Sequence, residues 1–190
     1  LASQSPRRKQ LLEQIGVRYE LLLATPDEDA ESLERVIPGE APLTYVKRVT
    51  QLKLEAAVKR MQARGLKPAP VLCADTTVAL GRVILGKPEN EQDAVRILKT
   101  LSGQTHRVLT AVAVASGRRR LLSVSVSKVT FAPMKLSEIK AYVASGEPFG
   151  KAGAYGVQGM AAAYISDIQG SYTGIMGLPL FETSELLKNI

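Results

Sequence analysis

Apolar residues run without a break from Val71 to Ala74, which predicts a short strand covered on both faces, with Asp75 at its exit. Beyond it Thr76 and Thr77 add hydroxyls, Gly81 turns the chain, Val83 to Leu85 read as the return strand, and Gly86-Lys87-Pro88 ends that strand with an ammonium. Upstream, Leu11, Leu12 and Ile15 form the inward stripe of a helix whose start is signalled by Ser5-Pro6 and whose stop is signalled by Gly16. Val17 to Leu23 has alternate apolar positions and predicts a strand. Leu43 to Gly65 predicts a long helix with Val46, Val49, Leu52, Ala56 and Met61 near one side. Lys53 stands between Leu52 and Leu54, close to that face, where a snorkelling lysine and one reaching into the interior both fit.

Downstream, Glu91 to Leu101 reads as a helix ended by Ser102-Gly103. His106 to Ala115 and Leu121 to Phe131 read as the two strands of an antiparallel hairpin about the turn Ser116-Gly117-Arg118. A further helix from Leu136 to Ser145 closes at Gly146, and Ala161 to Ile168 reads as a strand. Gly170-Ser171-Tyr172 reads as a turn, and Leu178-Pro179-Leu180 leads into a closing helix through Leu187. Leu1-Ala2 reads as the tail of a strand begun earlier, and no repeat, low-complexity stretch or linker interrupts the chain.

The 190 residues, 45% hydrophobic and 23% charged, can bury a sizeable core and predict one domain. The net charge of +7 favours a polyanionic partner, a nucleotide or a nucleic acid. Nucleic acid is the less favoured of the two, because the basic residues are dispersed and only 3 Phe and 6 Tyr, with no Trp, are available for stacking. Cys73 is the single cysteine, which excludes an internal disulfide and suggests a reducing, cytoplasmic compartment. No apolar run approaches the ~20 residues of a membrane span.

Chemistry concentrates at a few places. A buried carboxylate at Asp75 needs a cation or water, although a solvated hairpin edge fits the same residues. Ser3-Gln4-Ser5-Pro6-Arg7-Arg8 places free helix-start amides beside guanidinium forks, an anion-binding arrangement that is also compatible with a plain basic helix start. The acidic segment Asp27, Glu28, Asp29 and Glu31 follows an expected strand, where a metal-binding carboxylate or a solvated loop would lie. His106, the only histidine, suits a structural hydrogen bond, and no G-x-S-x-G elbow supports serine hydrolysis. From Glu147 to Gly159 the glycines allow close backbone approach to a ligand, yet neither a Walker A nor a dinucleotide fingerprint is present. Gln158 in this run can donate and accept at once, as reading a base edge requires.

Together Leu1-Ala2-Ser3-Gln4-Ser5-Pro6-Arg7-Arg8, Ala74-Asp75-Thr76-Thr77-Val78, Gly86-Lys87-Pro88, Leu101-Ser102-Gly103-Gln104-Thr105-His106, Lys151-Ala152-Gly153-Ala154-Tyr155-Gly156-Val157-Gln158-Gly159 and Gly177-Leu178-Pro179-Leu180 resemble the Maf family of nucleotide pyrophosphatases over essentially the whole chain. The resemblance implies a single domain over residues 1–190 with an α/β fold: an elongated mixed sheet with flanking helices, in two lobes around a central cleft, similar to inosine triphosphate pyrophosphatase and often homodimeric. It implies hydrolysis of a nucleoside triphosphate to the monophosphate and pyrophosphate with a divalent cation, Mg²⁺ or Mn²⁺, and Ala74-Asp75-Thr76 with Arg7 and Gln158 resembles the branch acting on dTTP and UTP. By the same likeness Asp75 is the proton acceptor, Arg7, Thr76 and Gln158 take positions for base selectivity, and Ser3, Arg8, Glu28, Lys53 and Lys87 fall where other pocket residues lie, Asp27, Asp29 and Glu31 standing as alternatives to Glu28. The charges then predict that Asp75 and Glu28 hold the metal, with Lys53 and Lys87 as catalytic cations and Ser3, Arg7, Arg8, Thr76 and Gln158 binding substrate. A nucleotide-binding regulator of cell division without turnover is the other implied reading. Departures from the family pattern are Gly150 in place of a usual Asp, Lys128 in place of an acidic residue, and Gly174 where Asn is common, the first two removing negative charge near the expected cleft.

Overall fold

A computed structural model describes residues 1–25, 28 and 32–190. Its centre is a five-stranded sheet in the order β2-β1-β3-β4-β5, where β1 is Val71–Leu80, β2 Val83–Leu85, β3 Thr105–Ser116, β4 Arg119–Phe131 and β5 Ile165–Gln169. Every pairing among these strands is antiparallel, so the expected mixed sheet is corrected. The α/β character with flanking helices is as expected. The helices are α1 Pro6–Gln14, α2 Pro42–Ala63, α3 Glu91–Leu101, α4 Leu136–Ala144, α5 Tyr172–Met176 and α6 Leu180–Lys188.

Strand alternation sorts the core. Val71, Cys73 and Ala79 of β1 and Leu109, Ala111 and Ala113 of β3 face α2, where they meet Tyr45, Val46, Val49, Leu54, Ala57 and Val58. Leu72, Ala74, Val112 and Val114 face the other way, onto Leu11 and Leu12 of α1 and Leu178. Further along that second face Val78, Val108 and Val129 pack on Ile97, Leu98 and Leu101 of α3 and Ile139, Tyr142 and Val143 of α4. The apolar face of α2 follows 46, 49, 54, 57 and 58, which leaves Leu52 exposed, against expectation, and sets Lys53 within the inward stripe.

Four local expectations are corrected. β1 does not stop before Asp75 but continues through it, with Asp75 paired opposite Ala111. The strand tolerates the carboxylate because alternation turns it toward α2, where Lys53 meets it. The segment 17–23 forms no strand, being tied mainly by single bonds such as Leu22 N–H to the Leu1 carbonyl, and Leu1-Ala2 likewise contributes only one bond to β1, from Ala2 N–H to the Leu72 carbonyl. Residues 161–164 belong to a 3₁₀ turn, Met160–Tyr164, that precedes β5. After Gly170 the expected turn becomes α5, because Ser171 caps it by accepting from the Gly174 N–H at 3.0 Å.

One topological fact places the site. β2 pairs only with Val78 to Leu80, so the edge of β1 from Val71 to Thr77 has no neighbouring strand on that side among the described residues. Side chains from both faces of β1 are therefore reachable from this edge.

Candidate active site

A pocket of about 550 Å³ opens beside that edge, and its walls include Ser3, Arg7, Arg8, Lys53, Asp75, Thr76, Lys87 and Gln158. These residues come from the segment before α1 and its first turn, α2, β1, the chain just after β2 and the glycine-rich segment. Asp75 Oδ1 accepts from Lys53 Nζ at 2.5 Å, and the same ammonium donates to Glu34 Oε1 at 2.7 Å. Glu34 Oε2 in turn accepts from Lys87 Nζ at 2.8 Å. Charges thus alternate along one chain, Asp75, Lys53, Glu34, Lys87. Burial pushes the Glu34 carboxyl up, but Lys53 and Lys87 outweigh it and hold the group below the usual carboxylate range.

Glu34 had no sequence signal: it lies in a short 3₁₀ turn, Ser32–Glu34, and meets Lys53 only through tertiary packing. Helix α2 racks that turn in place, since the Tyr45 hydroxyl donates to the Glu34 carbonyl at 2.8 Å and Arg48 Nη2 to the Arg35 carbonyl at 2.9 Å. The Tyr45 hydroxyl is pushed up to about 12, first by burial and then by the nearby Asp75 and Glu34 charges, so it stays a donor.

Glu28, expected beside Asp75, is not among the residues that line the pocket. Its carboxylate is taken by Arg60, with Nη2 to Oε2 at 2.6 Å and Nε at 2.8 Å, and these hydrogen bonds hold its pKa down to about 2. The alternatives Asp27, Asp29 and Glu31 lie outside the described residues. Lys128 is exposed on β4 opposite Gln169 and away from the pocket walls, so its charge does not bear on the cleft, whereas Gly150 does line it. Gly174 sits where a Cβ would come within 3.2 Å of Ser125 Oγ, and its carbonyl accepts from Thr110 Oγ1 at 2.7 Å.

The opposite wall is cationic. The Ser5 hydroxyl caps α1 by accepting from the Arg8 N–H at 3.5 Å, and Pro6 opens the helix. Arg8 donates from Nε to the Gly177 carbonyl at 2.7 Å, from Nη1 to Ser3 Oγ at 3.3 Å and from Nη2 to Thr76 Oγ1 at 3.3 Å. It therefore clamps α1 to β1 and to the chain just beyond α5. Arg7 spends Nε on the Met176 carbonyl at 3.2 Å, and its terminal nitrogens meet no hydrogen-bond partner among the described residues. Burial lowers the pKa of both guanidinium groups.

The glycine-rich segment forms the remaining wall. Gly153 N–H donates to the Gly86 carbonyl at 3.0 Å, and a Cβ at Gly153 would lie 2.9 Å from the Val78 methyls, so only glycine lets the segment rest on β1. The Tyr155 hydroxyl pairs with His106 Nε2 at 2.7 Å, with Phe131 edge-on to both rings. This is the structural hydrogen bond expected of the lone histidine. Gln158 is exposed at the end of this buried run.

Burial lowers the His106 pKa from 6.5 to about 4. The unfolded chain therefore binds the proton first as pH falls, and stability present above pH 6.5 is lost on the way down through the folded value. Between pH 6.5 and 5, above the carboxylate range, denaturant titrations should show a loss of about 2 kcal/mol, and His106→Gln should flatten that slope.

Two carboxylate oxygens converging on one ammonium, at 2.5 and 2.7 Å, also suit one hard divalent cation whose other ligands come from a bound substrate and water. Among the described residues no group of three or more His, Cys, Asp or Glu side chains stands together as a self-sufficient metal cage.

Fold and site define an α/β protein whose pocket sets carboxylates against cations suited to a polyphosphate. The chain belongs to the Maf family: the profile of the Maf-like protein matches residues 1–190. It is 66% identical over 188 residues to the dTTP/UTP pyrophosphatase of Polaromonas sp. (strain JS666 / ATCC BAA-500), a match covering 99% of this chain and 93% of the relative. It is 64% identical over 189 residues to the dTTP/UTP pyrophosphatase of Albidiferax ferrireducens, covering 100% of this chain and 94% of the relative. A third relative, the dTTP/UTP pyrophosphatase of Cupriavidus pinatubonensis, is 61% identical over 188 residues, covering 99% and 94%.

Proposed function

We propose that this chain is a nucleoside triphosphate pyrophosphatase, one domain over residues 1–190, that converts dTTP, UTP and related pyrimidine nucleotides to the monophosphate and pyrophosphate. The observation that carries the reading is the Lys53 ammonium shared by Asp75 and Glu34, within a pocket also lined by Lys87, Arg7 and Arg8. The names of its relatives point to the same activity.

Hydrolysis at the α-phosphorus must bring water to a tetra-anionic chain, so the site needs a base and cations that accept the phosphates. Asp75 takes a proton from the attacking water as the new P–O bond forms. The bond from the α-phosphorus to the bridging oxygen breaks, and pyrophosphate leaves with that electron pair. Lys53 and Lys87 exchange their carboxylate partners for phosphate oxygens, which frees Asp75 and Glu34 as the negative chain arrives. The α1 start and Ser3 receive the remaining phosphate charge, with Arg8 fixing their arrangement. Arg7 and Gln158 select the base, and Thr76 supports them by holding the Arg8 fork. Asp75 and Glu34 would hold a divalent ion, Mg²⁺ or Mn²⁺, which when bound would add positive charge at the α-phosphate and acidify the water. Glu34 thus replaces Glu28 in the metal role.

The single cysteine supports a cytoplasmic setting, and among the described residues no helix is long and apolar enough to cross a membrane. A nucleotide partner and no nucleic acid complete the proposal.

Pyrophosphate release from dTTP, UTP, CTP, dATP and GTP with Mg²⁺ or Mn²⁺ tests it. We expect dTTP and UTP to be turned over fastest. Binding of these nucleotides with no pyrophosphate from any of them would overturn the reading.

A further inference from the structure

Glu147 divides its carboxylate between Tyr142 of α4 and the segment that carries Gln158. Oε1 accepts from the Tyr142 hydroxyl at 2.8 Å, and Oε2 accepts from the Met160 N–H at 2.9 Å, two residues past Gln158. The Tyr142 oxygen also accepts from the Gly156 N–H at 3.4 Å, two residues before it. Lys151 Nζ donates to the Glu147 carbonyl, which ties the near end of the same segment to the same residue. The carboxylate therefore holds the backbone after Gln158 directly, through Met160, and the backbone before it through the Tyr142 hydroxyl.

Gly159 records how tightly it fits. Its φ of −104° is open to any residue, yet a Cβ there would lie 2.2 Å from Glu147 Oε1. A side chain at this position would be opposed by the movable end of Glu147 and not by the backbone conformation. Gln158 itself is exposed and meets no hydrogen-bond partner among the described residues, so what its neighbours fix is the backbone from which it projects.

We infer that Glu147 is a positioning residue for base discrimination, fixing residues 156–160 so that the Gln158 amide meets the base edge in one register. This rests on the proposed reading of Gln158 as a base reader. Glu147 does not line the pocket and takes no part in the chemistry at Asp75.

The test compares kcat/KM for dTTP with that for dCTP, which presents an amine where thymine presents a carbonyl. The ratio of the two is insensitive to any inactive fraction of a variant preparation. Glu147→Ala should lower the ratio about tenfold, chiefly through KM for dTTP. Gly159→Ala should do the same by displacing the carboxylate without changing it. Glu147→Gln should stay within about threefold of the unmodified chain, because an amide oxygen still accepts from Met160 N–H and the amide nitrogen can donate to the Tyr142 oxygen. The double variant Glu147→Ala/Gly159→Ala should match Glu147→Ala alone, since the clash is gone. An unaltered ratio in Glu147→Ala overturns the inference, as does an equal fall for both nucleotides. Absence of turnover in the unmodified chain overturns the parent reading and this one with it; turnover with unaltered discrimination in Glu147→Ala overturns this one alone.

Discussion

Asp75→Asn should lower kcat for dTTP by about 100-fold or more while leaving the fold in place. The substitution keeps size and hydrogen-bonding shape but removes both the proton acceptor and one of the two negative charges on Lys53. Stability should change far less than rate. Lys53 retains Glu34 at 2.7 Å and is partly exposed, so the lysine is not left as an unpaired buried charge. Steady-state pyrophosphate release gives the rate, and a thermal unfolding midpoint within a few degrees of the parent shows that the loss is chemical. If Asp75→Asn turns dTTP over at the parental rate, the water is activated by another group.

Where local chemistry decides a boundary, it could be read directly. Ser5-Pro6 starts α1, the 91–101 pattern becomes α3 as Glu91–Leu101, and the Ser116-Gly117-Arg118 turn joins β3 to β4. In these cases the cap, the stop or the turn residue acts within a few positions of itself. Among the residues that line the pocket on regular elements, Arg7 and Arg8 follow from the helix start, whereas the position of Lys53 beside the apolar stripe of α2 fits a snorkelling lysine as well as an inward one, and only the family resemblance places it in the pocket. What the chain did not reveal is decided at long range. The apolar run 71–74 stops at Asp75 and so puts it at a strand exit; it lies inside β1 because Lys53, from 22 residues upstream, neutralises it there. Residues 17–23 alternate like a strand but find no neighbouring strand, so the pattern is not realised as a ladder. α5 forms after a Gly-Ser turn because the Ser171 side chain caps five residues whose C-terminal end then holds Arg7 through the Met176 carbonyl.

The Asp75–Lys53–Glu34–Lys87 chain has a consequence for how the pocket works. Without a ligand the two lysines and two carboxylates satisfy each other, so the half-buried charges carry little net penalty. A triphosphate competes with the carboxylates for the lysines and, in winning, releases oxygens suited to a divalent cation. Substrate and cation should therefore bind with mutual assistance, because each removes the partner that the other would have to displace.

That exchange makes Glu34 and Glu28 separable by experiment, and the two carboxylates should behave oppositely. Glu34→Gln removes the group that bridges Lys53 and Lys87 and takes away one of two oxygens available to a cation; kcat/KM for dTTP should fall by about 10- to 100-fold, with a rise in the Mg²⁺ or Mn²⁺ concentration needed for half-maximal rate. Glu28→Gln should stay within about threefold of the parent in both quantities, because the Glu28 carboxylate is engaged by Arg60 and lies outside the pocket walls. The metal titration is the deciding measurement: a stability defect lowers the amount of active protein without moving the half-maximal concentration, whereas loss of a ligand moves it. The reverse ranking, with Glu28→Gln shifting the metal dependence and Glu34→Gln leaving it unchanged, would return Glu28 to the position beside Asp75 and reduce Glu34 to a partner of the two lysines alone.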